Sequence, residues 1–466
     1  MKYTTDFRLE TLKKIHFVGI GGIGMSGIAA LMIGLGYEVT GSDMRKSEIT
    51  QALEKRGAKI NIGHRNRLPK GTQALVVSSA IGEDNPEIAA AEAAGLPLIH
   101  RAFMLSRLAE LKKTITVAGT HGKTSTTSMA AAAFGAAGAG STAVVGGIIK
   151  NAGSNLQMGG GEYFIAEADE SDGSFLNFRP LVTCVTNIDA DHLDHYGSLE
   201  EIKMAFIKHI SSVPFFGAAA VCSDDEGVRS ILPYVDAPVI SCGINSKADW
   251  QARSIVNTDK GISYEAWFKG RKKGNVQLSV PGMHNVRNSL LVIAAGCYLG
   301  FSFEKLSEGL SGFRGVKRRL DRHGEAGGIE FIDDYGHHPT EIKTVLAAVR
   351  LLFPDRRLIV LFQPHRYTRT RDLYREFGAS FAEADKVFVA PVYSAGEKEI
   401  KGISSDLIIR EIKKNGQAAK AFPGVLPMLK DLRRGDVLLT LGAGDIWKIG
   451  MEIKLKQEML GTELPL

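Results

Sequence analysis

The sequence predicts an α/β protein of about three doubly wound domains, and three observations lead there. The chain is 466 residues long, while single domains run to ~100–200 residues each. Short apolar strands alternate with apolar helices along it, the pattern of parallel sheets covered on both faces. Two glycine loops each close such a strand and open such a helix, the place where α/β sheets bind phosphate.

The elements follow in order. Residues 13–43, KKIHFVGIGGIGMSGIAALMIGLGYEVTGSD, read as a strand, a glycine turn, an apolar helix and a second strand. ALVVSSAI (74–81) and PLIHR (97–101) read as further short buried strands, so residues 1–107 form one domain. A second domain, 108–313, opens at KTITVAG (113–119), a strand that runs directly into the other glycine loop. It continues through YFIAEAD (163–169), LVTCVTNID (181–189) and AAAVCSDD (218–225). SYEAWF and NVQLSVPG read as antiparallel strands, followed by the apolar helix NSLLVIAAGCYLG (288–300). The third domain, 314–466, carries the strands IEFIDDYG (329–336), RLIVLFQP, KVFVAPVY and DVLLTLGAG, with a helix through TEIKTVLAAVRLLF.

Composition narrows the function. Apolar residues at 44% and charged ones at 23% are ordinary for a globular protein, and a net charge of +6 over this length is too mild for a nucleic-acid binder. Its use is to attract anionic small substrates. Cys184, Cys222, Cys242 and Cys297 lack C-x-x-C spacing and read as reduced thiols of a cytoplasmic protein. No apolar run approaches the ~20 residues that span a bilayer, and MKYTTDFRLETLKK has no apolar stretch of a signal peptide. The expectation is a soluble cytoplasmic chain with neither nucleic acid nor membrane as partner.

The first loop, Gly19-Ile20-Gly21-Gly22-Ile23-Gly24, fits G-x-G-x-x-G between a strand and a helix. Its glycines let the backbone turn tightly and approach a diphosphate, with helix N–H groups as donors. By itself it suggests a nicotinamide or flavin dinucleotide, with Asp43 at the end of the second strand gripping a ribose. A nucleotide-diphosphate sugar could use the same donors. The motif reports the diphosphate and leaves its carrier open.

The second loop, Gly119-Thr120-His121-Gly122-Lys123-Thr124-Ser125, is a shortened phosphate loop, with Val117 where the longer pattern has its first glycine. Its successive N–H groups can wrap the β- and γ-phosphates of ATP, Lys123 can neutralise the γ-phosphate, and the Thr124 hydroxyl can hold Mg²⁺. A simple dehydrogenase has no need of this second loop. An NAD-linked oxidoreductase with an appended ATPase, or a nucleotide-binding regulator without turnover, nevertheless remains open on the loops alone. AEADESDGS (166–174) adds Glu167, Asp169 and Glu170 at a strand end, and NIDADHLDHYG (187–197) adds His192; His195 reads as peripheral. A carboxylate and an imidazole there could hold Mg²⁺ ions between ATP and a second substrate.

Taken together, GIGGIGMSGIA (19–29), GTHGKTSTT (119–127), EADESDGSF (167–175), NIDADHLDHY (187–196), PGMHNVRNSL (281–290), DDYGHHPTE (333–341), FQPHRYTRTRDL (362–373) and GAGDIW (442–447) resemble the Mur ligases of bacterial cell-wall synthesis, over essentially the whole chain. The resemblance implies an N-terminal Rossmann-like domain for a UDP-sugar, a central P-loop-type mononucleotide-binding domain for ATP with two Mg²⁺ ions, and a C-terminal Rossmann-like domain for an amino acid. It implies ATP-dependent ligation of L-alanine to the lactyl carboxylate of UDP-N-acetylmuramic acid through an acyl phosphate, by a monomer or a homodimer. The alternative within the family is a recycling ligase that attaches a tripeptide. By the same resemblance Gly19, Gly21, Gly22, Gly24, Met25, Ser26 and Asp43 serve the UDP-sugar. The loop 119–125 serves ATP with Asn285, Arg319 and Asp333, and Thr124, Glu167 and His192 serve the metal. Tyr335, His338, Arg366 and Arg369 serve the amino acid, with Lys123, His337, His338 and Arg366 in catalysis and His337 or His338 as the base. Some relatives bridge their metals with a carbamylated lysine. That place falls near Phe206 here, and Lys203 and Lys208 do not share its helical face, so none is expected.

Overall fold

The runs around the first glycine loop pair in parallel, as strands buried on both faces do. The strands are β1 (Lys14–Val18), β2 (Glu38–Asp43), β3 (Lys59–Ile62), β4 (Ala74–Val77) and β5 (Leu98–His100), in the order β3-β2-β1-β4-β5. The order reverses at β1, so the loop after β1 lies at the topological switch point. The strand expected over 74–81 stops at Val77, because Ile81 N–H turns back onto Ser78 C=O. This computed structural model describes residues 3–5, 7–258 and 261–462.

A ten-stranded sheet follows, built from β6 (Lys113–Ala118), β7 (Thr142–Ile149), β8 (Ser154–Gln157), β9 (Tyr163–Glu167), β10 (Val182–Val185), β11 (Ala218–Cys222), β12 (Val239–Gly243), β13 (Trp250–Thr258), β14 (Gly261–Phe268) and β15 (Arg271–Leu278). Its order is β15-β14-β13-β12-β11-β10-β6-β9-β7-β8. β6, which carries the second loop, is flanked in parallel by β10 and β9. Their carboxyl ends therefore gather around the loop. Cys184, Cys222 and Cys242 sit buried on the adjacent strands β10, β11 and β12, where burial pushes the first two thiols up to about 12 and about 11 and the third well above its ordinary value. One core joins both sheets, with Phe17, Ile28 and Met32 in the same cluster as Val144, Phe164 and Phe175. Gly27 permits the approach: a Cβ there would lie 3.1 Å from Asn155 Nδ2 and 3.3 Å from Val144 Cγ1.

The third sheet runs β16-β17-β21-β18-β19-β20, with β16 (Asp321–Ala326), β17 (Ile329–Asp334), β18 (Leu358–Phe362), β19 (Lys386–Val389), β20 (Ala419–Ala421) and β21 (Val437–Leu441). Only the β16–β17 hairpin is antiparallel. Successive residues feed opposite faces, as the two-residue period requires. Ile332, Val360 and Leu439 join one core, Phe331, Ile359 and Leu438 the other.

By packing, the chain divides into two units: Met1–Val256, Ser263–Ser279 and Asn285–Arg314 form one, and Asn257–Ile262, Val280–His284 and Gly315–Leu466 the other. No helix among the described residues is long and apolar enough to cross a membrane.

Candidate active site

The first glycine loop is pinned by β2. Gly19 N–H and Ile20 N–H donate to Ser42 C=O at 2.8 and 3.0 Å, and Gly19 turns with φ +74°. Asp43, at the end of β2, accepts Gly21 N–H at 2.9 Å and Arg45 N–H at 3.1 Å. A Cβ on Gly21 would lie 2.8 Å from that carboxylate and 3.0 Å from Thr50 Cγ2, so the loop fits Asp43 only as glycine. Gly22 is the N-cap of the helix Ile23–Gly34. Gly24 lies under the Arg101 guanidinium, with 2.8 Å between Arg101 Nη1 and a Cβ built there. Met25 and Ser26 are buried, and the Ser26 hydroxyl donates to Ile23 C=O and accepts from Asn155 Nδ2. Those two side chains pack the helix.

The second loop hangs on the chain that leaves β10. Thr120 N–H donates to Asn187 C=O at 3.0 Å, and His121 N–H to Asn187 Oδ1 at 2.8 Å. Thr186 Oγ1 and Asn187 Nδ2 both donate to His121 C=O. Gly119 (φ +138°) packs on Thr186 so closely that a Cβ would meet its Oγ1 at 2.0 Å, and Gly122 (φ +83°) takes the left-handed turn into the helix Lys123–Ala136. The loop is short because a neighbouring strand end, through Thr186 and Asn187, does the bracing.

Inside this loop Lys123 Nζ donates to Gly119 C=O (2.8 Å), Thr120 C=O (3.1 Å) and both oxygens of Glu170 (2.9 and 2.7 Å). Burial opposes the ammonium charge, but Glu170, Asp169 and Glu167 outweigh it and hold Lys123 protonated. Burial raises the Glu170 carboxyl, Lys123 draws it down, and Asp169 adds to the rise. Tyr196 O–H fixes the Glu170 backbone by donating to its carbonyl at 2.6 Å. Arg101 reaches Asp169 at 3.4 Å, and together with Lys123 it overcomes burial to keep Asp169 ionised.

The metal candidates separate into two groups. Thr124 Oγ1 and Glu167 Oε1 lie 3.1 Å apart, and Glu167 also accepts Gly146 N–H at 2.9 Å. Two oxygens ~3 Å apart span one edge of an octahedron with bonds of ~2.1 Å, so the pair fits Mg²⁺. His192 (φ +55°) sits instead beside Glu170, at 3.8 Å, and Asp191, at 3.7 Å. His195 is exposed against Tyr196. Phe206 is wholly buried against Phe175, Lys203 pairs with Glu200 on the surface, and Lys208 is exposed.

Asn285 is buried on the helix Met283–Tyr298. One turn on, Asn288 shares its face, and sequence reasoning missed it. Asn288 is 5% exposed, its Nδ2 has no partner among the described residues, and a Cβ on Gly122 would lie 3.4 Å from it. A buried amide donor left unmade beside a phosphate loop awaits an acceptor. The signal was two asparagines three apart, one helical turn, in the polar start of this helix, HNVRNS. On the same helix Arg287 binds Asp224 at 2.8 Å; burial would raise that carboxyl, but Arg287 and the N–H groups of Ile244 and Ser246 hold it at about 2.

The remaining candidates belong to the second unit. Asp333 is buried at the end of β17, accepting from Thr440 Oγ1 at 2.8 Å and from Arg318 Nε at 3.2 Å. Arg318, not named from the sequence, and Arg319 both lie over the Tyr335 ring, at 4.9 and 5.0 Å. Arg319 also reaches Glu341 at 3.7 Å. Burial pushes neighbouring Asp334 up to about 6, although Arg319 and the N–H groups of Leu320 and Gly336 pull it down.

The two histidines differ in tautomer. His337 Nδ1 lies 3.2 Å from Tyr335 C=O, which can only accept, so Nδ1 carries the proton and Nε2 is the basic atom. His338 Nδ1 accepts Thr340 N–H at 3.4 Å as the cap of the helix Pro339–Leu352, so its proton sits on Nε2. Arg366 is the N-cap of the helix Tyr367–Gly378, and Arg369 lies within its first turn. Between these groups stands His365, 5.6 Å from His337 and stacked on Tyr393; burial first, then Arg369 and Arg366, lower it to about 4.

Three mainly parallel α/β sheets, one with a glycine diphosphate-type loop and one with a Gly-Lys-Thr loop ringed by carboxylates, define a multidomain protein built for two phosphate-bearing ligands. Three family models cover it in sequence: Mur ligase family, catalytic domain, over 14–113; Mur ligase middle domain, over 117–296; and Mur ligase, glutamate ligase domain, over 318–444. The chain belongs to the Mur ligase family. It is 48% identical over 441 residues to the UDP-N-acetylmuramate–L-alanine ligase of Endomicrobium trichonymphae, covering 95% of this chain and 98% of that one. Among solved structures it resembles the UDP-N-acetylmuramate-alanine ligase MurC of Thermotoga maritima, at 30% identity and a TM-score of 0.81 over 96% of this chain and 99% of that one. It also resembles a murein peptide ligase of Psychrobacter arcticus, at 26% identity and a TM-score of 0.72 over 97% and 100%.

Proposed function

We propose that this chain joins L-alanine to the lactyl carboxylate of UDP-N-acetylmuramic acid with hydrolysis of ATP to ADP and phosphate, a step of peptidoglycan precursor synthesis in the cytoplasm. The observation that carries the reading is the likeness over 95% of the chain to relatives bearing that activity in their names. On this reading residues 1–107 bind the UDP-sugar, 108–313 ATP and 314–466 the amino acid.

The chemistry follows from the loops. A carboxylate and an amine do not condense at neutral pH, because carboxylate oxygen is a poor leaving group. The lactyl carboxylate attacks the γ-phosphorus in line, ADP leaves, and an acyl phosphate forms. Lys123, drawn from Glu170 to the phosphate, stabilises the charge spread over the transferring oxygens. Mg²⁺ would supply further neutralisation when bound, with Thr124 and Glu167 as the residues that would hold it and His192 as the one that would serve a second ion. The L-alanine amine then attacks the acyl carbon, the tetrahedral oxyanion collapses, and phosphate departs. His337 accepts the amine proton at Nε2, the atom its tautomer leaves basic. Arg366 and Arg369 hold the carboxylate of L-alanine, and Asn285, Asn288, Arg319 and Asp333 the nucleotide.

The likeness to the Psychrobacter arcticus murein peptide ligase raises one rival, a tripeptide acceptor. A panel of L-alanine, glycine, L-serine and tripeptide, supplied with ATP and UDP-N-acetylmuramic acid while ADP is followed, separates the two. Turnover should be fastest with L-alanine, and preference for the tripeptide overturns the assignment. Phosphate release that needs no acceptor at all overturns ligation itself.

A further inference from the structure

The arginine-bearing segment of the second unit is strained, and the strain has a visible cause. Arg366 sits at φ +71° and ψ +141°, a conformation that non-glycine residues keep only where their surroundings impose it. The surroundings are a single short segment. Arg366 N–H donates to Tyr393 C=O at 2.8 Å, and Tyr393 N–H returns a bond to Pro364 C=O at 2.8 Å. The ring of Tyr393 stacks on His365 at 5.6 Å and 12°. Four residues on, Glu397 accepts from both donors of Thr368, the N–H at 3.1 Å and the hydroxyl at 2.6 Å. The segment bends to reach that far: Ala395 is itself left-handed at φ +51°, and Glu397 N–H closes the turn on Ser394 C=O. Residues 364 and 366 are thus gripped by Tyr393, and residue 368 by Glu397. The strained residue is held by the first grip, two residues before the second.

We infer that Glu397 is a positioning residue for substrate binding, clamping the first turn of the helix Tyr367–Gly378 so that Arg366 and Arg369 are presented in one fixed geometry to the carboxylate of the incoming amino acid. This rests on the reading of those arginines as anion contacts. Glu397 itself touches no substrate. Its two oxygens suit the task because Thr368 offers two donors, and one carboxylate takes both.

The test separates the substrates by their KM values. Glu397→Ala should raise the KM for L-alanine roughly tenfold, the effect of misplacing one charge-assisted contact, while the KM values for ATP and UDP-N-acetylmuramic acid stay within about twofold. Thr368→Val, which removes one of the two bonds, should show a smaller rise, and combining it with Glu397→Ala should add nothing further. Glu397→Gln, which keeps one acceptor oxygen, should fall between wild type and Glu397→Ala, and it carries the test with Thr368→Val if the alanine variant does not fold. Arg366→Ala and Arg369→Ala are the controls. If they raise the KM for L-alanine and the Glu397 and Thr368 variants do not, the clamp is wrong and the arginine reading stands. If the arginine variants leave that KM unchanged, the reading beneath the clamp fails. A rise shared equally by all three substrates makes Glu397 merely structural and overturns the inference.

Discussion

The two phosphate loops of the first unit share a strand–turn–helix plan and differ in what answers the negative charge. At the first, no lysine enters the loop; a carboxylate, Asp43, already occupies Gly21 N–H, and what remains is backbone donors and the helix end. At the second, an ammonium sits inside the loop with a buried carboxylate bound to it through both oxygens. The first loop offers fixed dipoles, suited to holding a diphosphate that does not react. The second offers a formal charge already engaged, which a phosphate must win from Glu170, as suits a group whose charge changes during reaction. On the proposed function, binding and chemistry fall to different kinds of electrostatics within one unit.

That contrast can be broken most sharply at Lys123. Lys123→Ala should lower kcat about 10³-fold with the fold retained by circular dichroism and with UDP-sugar binding intact. Near-normal turnover removes the distinction between the loops. The next effect concerns the strand that carries the second loop. His209 is wholly buried, its Nδ1–H donating to Phe175 C=O and its Nε2 facing the hydroxyls of Thr183 and of Thr116 on β6. Burial lowers its pKa to about 4. The unfolded chain therefore binds a proton below its ordinary pKa of ~6.5 that the folded chain refuses, so stability is full above that pH and falls as the pH drops toward 4. The loss amounts to about 3 kcal/mol across the window. Denaturant unfolding at pH 7 and pH 4.5 should show this slope in the wild type and a flatter one in His209→Asn; equal slopes refute it. The smallest effect belongs to the first loop. Gly21→Ala pushes a methyl against Asp43 and should raise the KM for UDP-N-acetylmuramic acid roughly tenfold without touching that for ATP. An equal rise for both substrates erases the division of labour.

What the sequence disclosed, and what it hid, divides along chain distance. Gly19–Gly24 and Gly119–Ser125 were legible because each motif is continuous and its flanking strand and helix are read from the same stretch. The strand ends that gather beside β6 were legible because parallel sheets always collect their carboxyl ends on one side. Partnerships made across the chain were not. Lys123 was matched to a phosphate, and nothing local to it names Glu170, 47 residues on, as its present partner. Arg318 and Arg319 are adjacent in sequence, and only the fold sets Arg318 on Asp333 and Arg319 by Glu341. β7 and β8 went unread because THGKTSTT and its helix dominate that window, and the strands that follow are broken by glycine. Nothing local to residues 392–397 names residues 364–368 as their partners, since that grip exists only after folding.

The three buried thiols of β10, β11 and β12 have a practical consequence. With their sulfurs shielded and held protonated far above neutral pH, an alkylating reagent reaches them only when the middle of the ten-stranded sheet comes apart. Their labelling rate is therefore a built-in clock for that opening, and it should slow when nucleotide braces the loop at the end of β6.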